Sequence, residues 1–186
     1  GDTVLAAAKT NLKLRYSLLK YFYHLFVTKR GLGTIWKPLF FEYPTDQNVY
    51  LDDITDTQFL IGNNLLAAPI VEEGKTSRKV YFPSTNWINL ETGKKYSPGT
   101  DVITDVKLTS QVPLFLKEGS IIHTQDTEKV VNTKQLDNKF LLSTGLRFDT
   151  RRSNSTHQYY ESTGNMLSIN NYHNDSLIDL CEREGC

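Results

Sequence analysis

The sequence predicts a mainly β chain, entered through one long apolar helix and one buried strand and continued by short antiparallel strands. Three observations carry this prediction. Apolar residues near the N-terminus recur at spacings of three and four. Over residues 34–43 they run almost continuously. From Asn64 onward, short β-branched and aromatic runs alternate with turn residues, and no second long helical pattern appears.

The helix is read from Leu5, Ala8, Leu12, Tyr16, Leu19, Tyr23 and Phe26, with Asp2 and Thr3 as N-cap residues. A second row, Leu14, Leu18, Phe22 and Leu25, widens its apolar face, so the helix is expected to be covered on two sides. Gly31 and Gly33 should end it. Residues 34–43 then read as a strand buried on both faces, closed by Pro44. Helix followed by buried strand is the repeating unit of an α/β fold. The sandwich strands are expected in NLLAAPIV, RKVYFP, WINLETG, DVITDVKL and PLFLKEGSII. A polar stretch over 126–137 reads as a linker, with further strands at 139–144, 146–150 and 157–161.

The bulk properties exclude several classes of function. The 186 residues carry 21 basic and 21 acidic side chains. Such balance supplies no field to attract nucleic acid or an anionic membrane. No apolar run reaches the length of a membrane-spanning helix. The N-terminal residues lack the basic stretch and apolar core of a secretory leader, so any leader is expected upstream. Cys181 and Cys186 could close a small disulfide loop. No metal site or cofactor is expected, because zinc needs four ligands and only His173 lies near the cysteines.

Few residues are candidates for chemistry. Asp52, Asp53 and Asp56 cluster, but without the glycine and ligand number of a calcium loop, and they read as solvated turn and cap residues. Glu42, at the end of the expected strand, is the candidate to approach a substrate cleft, although a polar residue that simply ends a strand is the favoured reading. His24, His123, His157 and His173 are scattered and form no triad context. Asn154 and Asn174 open two N-x-Ser/Thr sequons.

Five segments, in order, resemble glycoside hydrolase family 31, the α-glucosidase family. LKLRYSLLKYFYHLF is similar to the family's final barrel helix, and KPLFFEYPTD to its last barrel strand. QFLIGNNLLAAPIVEEG resembles the entry to the proximal C-terminal domain, VYFPSTNW the family's YFPxGxWYD, and VPLFLKEGSII its PLFVRGGSIIP. Lys20, Lys37 and Lys117-Glu118-Gly119 depart from the usual Pro, Arg and Arg-Gly-Gly. The resemblance implies three regions. Residues 1–57 would be the last helix and strand of a catalytic (β/α)8 barrel, 58–126 a proximal β-sandwich, and 127–186 the start of a distal β-domain.

The resemblance also implies retaining hydrolysis of α-glucosidic bonds by two aspartates. Their motifs, WxDMNE and the acid/base segment, have no match here, so no catalytic residue is assigned to this chain and the chain alone is expected to be inactive. The implied partners are α-linked glucosides and the rest of the barrel, in cis or as a separate chain. The implied route is the secretory pathway, to lysosome or exterior. The rival reading is a free-standing carbohydrate-binding or structural sandwich, in which Trp87 and Tyr96 could stack on sugar rings, although core or interdomain packing is the favoured reading of both.

Overall fold

The computed structural model describes residues 1–135, 141–144, 152–160, 166–174 and 177–182. The chain divides into two compact units. One joins Gly1–Leu14 to Trp36–Lys117; the other joins Arg15–Ile35 to residues from Glu118 onward.

The N-terminal helical pattern folds as two helices, α1 (Asp2–Ser17) and α2 (Leu19–Thr28). Asp2 lies inside the first turn rather than at the cap; the carbonyl of Gly1 accepts from Val4 and Leu5 at 3.1 and 3.2 Å. Asp2 in the first turn and Arg15 in the last complement the helix dipole. The break falls at Leu18. There the Ser17 carbonyl accepts the Gln125 N–H at 2.9 Å, and the Leu18 N–H bonds three residues back to Arg15. The stop near Gly31 is as expected, but Arg30 adopts the first left-handed φ, 52°. The Gly31 and Arg30 N–H groups bond back to Phe26 and Val27, a Schellman pair.

Residues 34–43 do not form the expected buried strand. Only β1 (Trp36–Lys37) is extended and paired, antiparallel to β2 (Phe59–Ile61). Pro38 has no N–H with which to continue the ladder, and a 3₁₀ turn over Leu39–Phe41 follows it. Leu39 enters the core while Phe41 is exposed. The continuous apolar run therefore reflects a turn that buries Leu39 and packs Phe40 and Tyr43 partly against the core. Among the described residues every strand pairing is antiparallel, so the end of a parallel barrel is not seen. A second 3₁₀ turn (Gln47–Tyr50) and the short helix α3 (Asp52–Thr55) lead into the sheets.

The first unit is a β-sandwich. Its larger sheet has the order β1-β2-β3-β8-β5-β6, with β3 (Leu65–Ala67), β5 (Trp87–Asn89), β6 (Lys95–Tyr96) and β8 (Leu114–Lys117). Its smaller sheet pairs β4 (Arg78–Phe82) with β7 (Gly99–Ile103). Both sheets feed one core: Leu60, Leu66, Trp87, Tyr96 and Phe115 from the first, Val80, Phe82 and Ile103 from the second. Phe82 stacks on Tyr96 at 4.7 Å between ring centroids, and Phe115 meets Phe82 edge-on at 4.9 Å. Each such side chain, fully buried, stabilises by about 1.5–3 kcal/mol.

In the second unit β9 (Ile121–Thr124) pairs with β10 (Leu141–Thr144), and β11 (Arg152–Tyr160), β12 (Met166–Asn174) and β13 (Leu177–Glu182) form a three-stranded sheet. Helix α2 packs against β9 and β11. Tyr21, Ile121, Ile122 and His123 are buried there. Leu18 and Tyr21 are the buried residues of the helical region, and none is buried in α1, so the expected double covering is not met among the described residues. The strand expected at 146–150, and Cys186, lie outside the described residues.

Candidate functional site

The segment with the most concentrated polar chemistry is 37–50, where the two 3₁₀ turns lie against the sandwich. Lys37, from β1, reaches back across the first turn to form an ion pair with Glu42, and donates to Asn63 Oδ1 at 2.5 Å. Only 10% of the Lys37 side chain is exposed, against 29% for Glu42, so the pair is partly shielded from solvent. Glu42, the residue predicted to approach a cleft, thus sits at the C-cap of a turn with its charge answered five residues away. Tyr43 follows it. Burial, and secondarily the Glu42 charge, push its phenol up to about 12. Its buried hydroxyl has no hydrogen-bond partner among the described residues, and the Lys117 ammonium lies 5.7 Å from its ring centre.

Asp46 anchors the second turn. Its Oδ1 accepts from the Asn48 N–H at 3.1 Å as an N-cap, and its Oδ2 accepts from Tyr81 Oη at 2.5 Å. Desolvation raises the Asp46 carboxyl, but the hydrogen bonds from Tyr81 and Asn48 outweigh it and hold the group below its ordinary value. Tyr81 is raised in turn, by burial first and by Asp46 second.

Sequence reasoning missed the residue that holds Tyr81 from the other side. Gln58 is buried, and its amide mimics a strand: Nε2 donates to the Tyr81 carbonyl at 2.7 Å and Oε1 accepts the Tyr81 N–H at 3.0 Å. This satisfies the free edge of β4 where no strand covers it. Its sequence signal was its place at the head of the QFLIGNN segment. Arg78 does similar work nearby, donating to the carbonyls of Thr57 and Pro69 at 2.7 and 2.6 Å.

The remaining candidates are dispersed. Asp52 and Asp53 lie in the first turn of α3, after Leu51 at the N-cap position, and Asp56 stands at its C-cap position. Asp53 lines a cleft of about 210 Å³ with Glu72, Lys75, Arg78 and Lys79. Among the described residues no three His, Cys, Asp or Glu side chains are grouped to hold a metal ion. The sugar-stacking role offered for Trp87 and Tyr96 is not met. Both are buried in the core, and Trp87 Nε1 donates to the Pro83 carbonyl at 3.1 Å. The exposed aromatics of the first unit, among the described residues, are instead Trp36, stacked on Phe59 at 5.4 Å, and Phe41 and Tyr50, both packed on Phe40. His24 lies on α2 and accepts the Gln158 N–H on Nδ1 at 2.9 Å. Asn154 and Asn174 fall in β11 and β12, and Cys181 in β13.

Comparison with known proteins gives this arrangement a context. Residues 33–122 match the family model for the glycosyl hydrolase family 31 C-terminal domain. The chain is similar to the lysosomal acid alpha-glucosidase of Tetrahymena pyriformis, at 31% identity over 96% of this chain and 20% of that protein. It is 38% identical to alpha-glucosidase 2 of Bacillus thermoamyloliquefaciens, over 69% of this chain and 16% of that one. Among solved structures, the cycloalternan-forming enzyme of Listeria monocytogenes, in complex with a pentasaccharide substrate, superposes with a TM-score of 0.75. The identity there is 26%, over 94% of this chain and 16% of the enzyme. The chain therefore spans a fifth or less of the length of these relatives.

Proposed function

The chain belongs to glycoside hydrolase family 31, whose C-terminal domain it carries in residues 33–122, and from this membership we propose that it is the C-terminal part of an α-glucosidase. The intact enzyme would hydrolyse α-glucosidic bonds with retention, on α-linked glucosides or oligosaccharides. Its two catalytic aspartates would lie N-terminal to Gly1, in a barrel joined to this chain in cis. One observation carries the reading: the resemblance to an acid α-glucosidase runs along 96% of this chain yet takes in only 20% of that protein.

In this reading residues 1–57 complete the barrel, 58–126 are the proximal sandwich and 127–186 begin a distal β-domain. The sandwich buttresses the barrel rather than performing chemistry. The carboxylates of segment 37–50 are consistent with that role, since Glu42 is paired with Lys37 and Asp46 accepts from Tyr81 and Asn48. Glu42 would then stand at the barrel mouth, lining the cleft through its ion pair. The route is secretory, to lysosome or exterior, with Cys181 and Cys186 joined as a disulfide. The test is turnover of an aryl α-glucoside. The 186-residue chain alone should release no product, and the same chain behind its barrel should be active. Turnover by the isolated chain would overturn the assignment.

A further inference from the structure

Asn11 lies well inside α1, where asparagine is a weak helix former because its side chain competes for backbone bonds. Here that side chain is put to a tertiary use. Its Nδ2 donates to the Ala7 carbonyl, one turn back, at 3.0 Å and to the Ser110 carbonyl at 3.2 Å. Its Oδ1 accepts the Val112 N–H at 2.8 Å. One amide thus satisfies the backbone on both sides of Gln111, with partners 99 and 101 residues away in sequence.

Both sides of this contact are prepared for it, and both belong to the first compact unit. The receiving segment is held by its own bonds. Ser110 N–H donates to the Lys107 carbonyl at 2.9 Å, and Ser110 Oγ accepts the Lys107 N–H at 3.2 Å. The Pro113 carbonyl accepts the Ala68 N–H at 3.1 Å. On the helix, Ala7, Asn11 and Leu14 follow at spacings of four and three and are partly buried, whereas Leu5, Ala8 and Leu12 are exposed. No α1 side chain is fully buried, and Asn11 borders a cleft of about 480 Å³ with Ile70, Val106 and Leu108. The helix is therefore set on the sandwich by a polar clamp beside an open cleft, not by apolar close packing.

We propose that Asn11 is the latch of the joint between barrel and sandwich, making the two unfold as one body in the intact enzyme. The surface it grips is the loop 107–112 between β7 and β8. This rests on the reading that residues 1–57 complete the barrel, and it assigns the buttress contact to one side chain.

The experiment uses the full-length protein that includes the barrel, unaltered and as Asn11→Ala and Asn11→Asp. On heating, aryl α-glucoside turnover reports the barrel, and amide exchange of peptides spanning β5 and β8 reports the sandwich. The unaltered protein should lose both at one temperature. Asn11→Ala should lose turnover at a lower temperature than the sandwich strands open. At ambient temperature the same variant should exchange its Val112 amide about tenfold faster. Asn11→Asp should keep Val112 protected, since a carboxylate still accepts, but cannot donate to Ser110, so its two transitions should separate less. Unchanged Val112 exchange in Asn11→Ala, or a single transition at the unaltered temperature in either variant, would overturn the proposal. An unaltered protein without turnover, whose Val112 exchange still rises in Asn11→Ala, would sink the glucosidase reading and leave the clamp standing.

Discussion

Helix α1 and the sandwich core are both rich in apolar residues, yet they use them oppositely. Trp87, Phe82 and Phe115 are wholly buried in the core, whereas Leu5 and Leu12 of α1 are 68% and 52% exposed. The sandwich closes its own core from two sheets. Among the described residues no side chain of the helix is buried. In the α-glucosidase reading the difference is one of partners: the sandwich is self-sufficient, while α1 is one member of a barrel whose other members lie upstream.

The largest effect should come from the self-sufficient side. Trp87→Ala removes a fully buried indole and its bond to Pro83, and should cost about 3–5 kcal/mol. Urea unfolding of the isolated chain would show the lowered midpoint, and an unchanged midpoint would mean the core is not where the stability resides. Gln58→Leu comes next. It strands the N–H and C=O of Tyr81 in the interior, at about 1–3 kcal/mol for each unsatisfied group. Gln58→Glu should recover only the contact to the N–H, since an ionised carboxylate cannot donate.

Two acid effects should follow. Asp46 has a lowered folded-state pKa, so its contribution is present above its ordinary value of 3.8 and is lost as pH falls through the depressed value. Asp46→Asn should flatten that part of the stability profile and lose a hydrogen bond to a charged group, about 1.5–3 kcal/mol. Burial holds His24 below its ordinary 6.5, so the unfolded chain takes up a proton before the folded one does. Stability of the α2–β11 contact should begin to fall as pH drops below 6.5 and level off once the folded imidazole titrates. Hydrogen exchange of the Gln158 amide against pH reads this directly, and a flat profile would contradict the burial argument.

The smallest effect sharpens the comparison most. Leu5→Ser and Leu12→Ser should change the stability of the isolated chain by no more than about 0.5 kcal/mol, as exposed sites do. In the protein that includes the barrel the same changes should cost several-fold more. Equal costs in both contexts would break the contrast between helix and sandwich.

Much of this was legible in the sequence, and the failures have physical causes. The strands of RKVYFP, WINLETG and PLFLKEGSII were readable because their apolar residues sit between strong turn signals, and β4, β5 and β8 form there. Residues 34–43 misled because an apolar run carries no period. Only Pro38, which has no N–H for the ladder, signalled the turn instead. Core packing was already the favoured reading of Trp87 and Tyr96 and is what the structure shows, with Tyr96 held between Phe82 and Phe115 from distant strands. Strand β12, MLSINNYHN, went unread because its polar residues resemble a loop, and pairing with β11 is what makes it a strand. Gln58 was invisible because its value lies in what it touches. The break at Leu18 was hidden likewise, because its cause is the amide of Gln125, over a hundred residues away.

The central claim is that this chain is the C-terminal part of a complete α-glucosidase, and the most direct measurement is the size of the native polypeptide. Immunoblotting of the source extract with an antibody to this segment should show a denatured band several-fold larger than 21.3 kDa. A band at 21.3 kDa, running alone under native conditions as well, would contradict the claim.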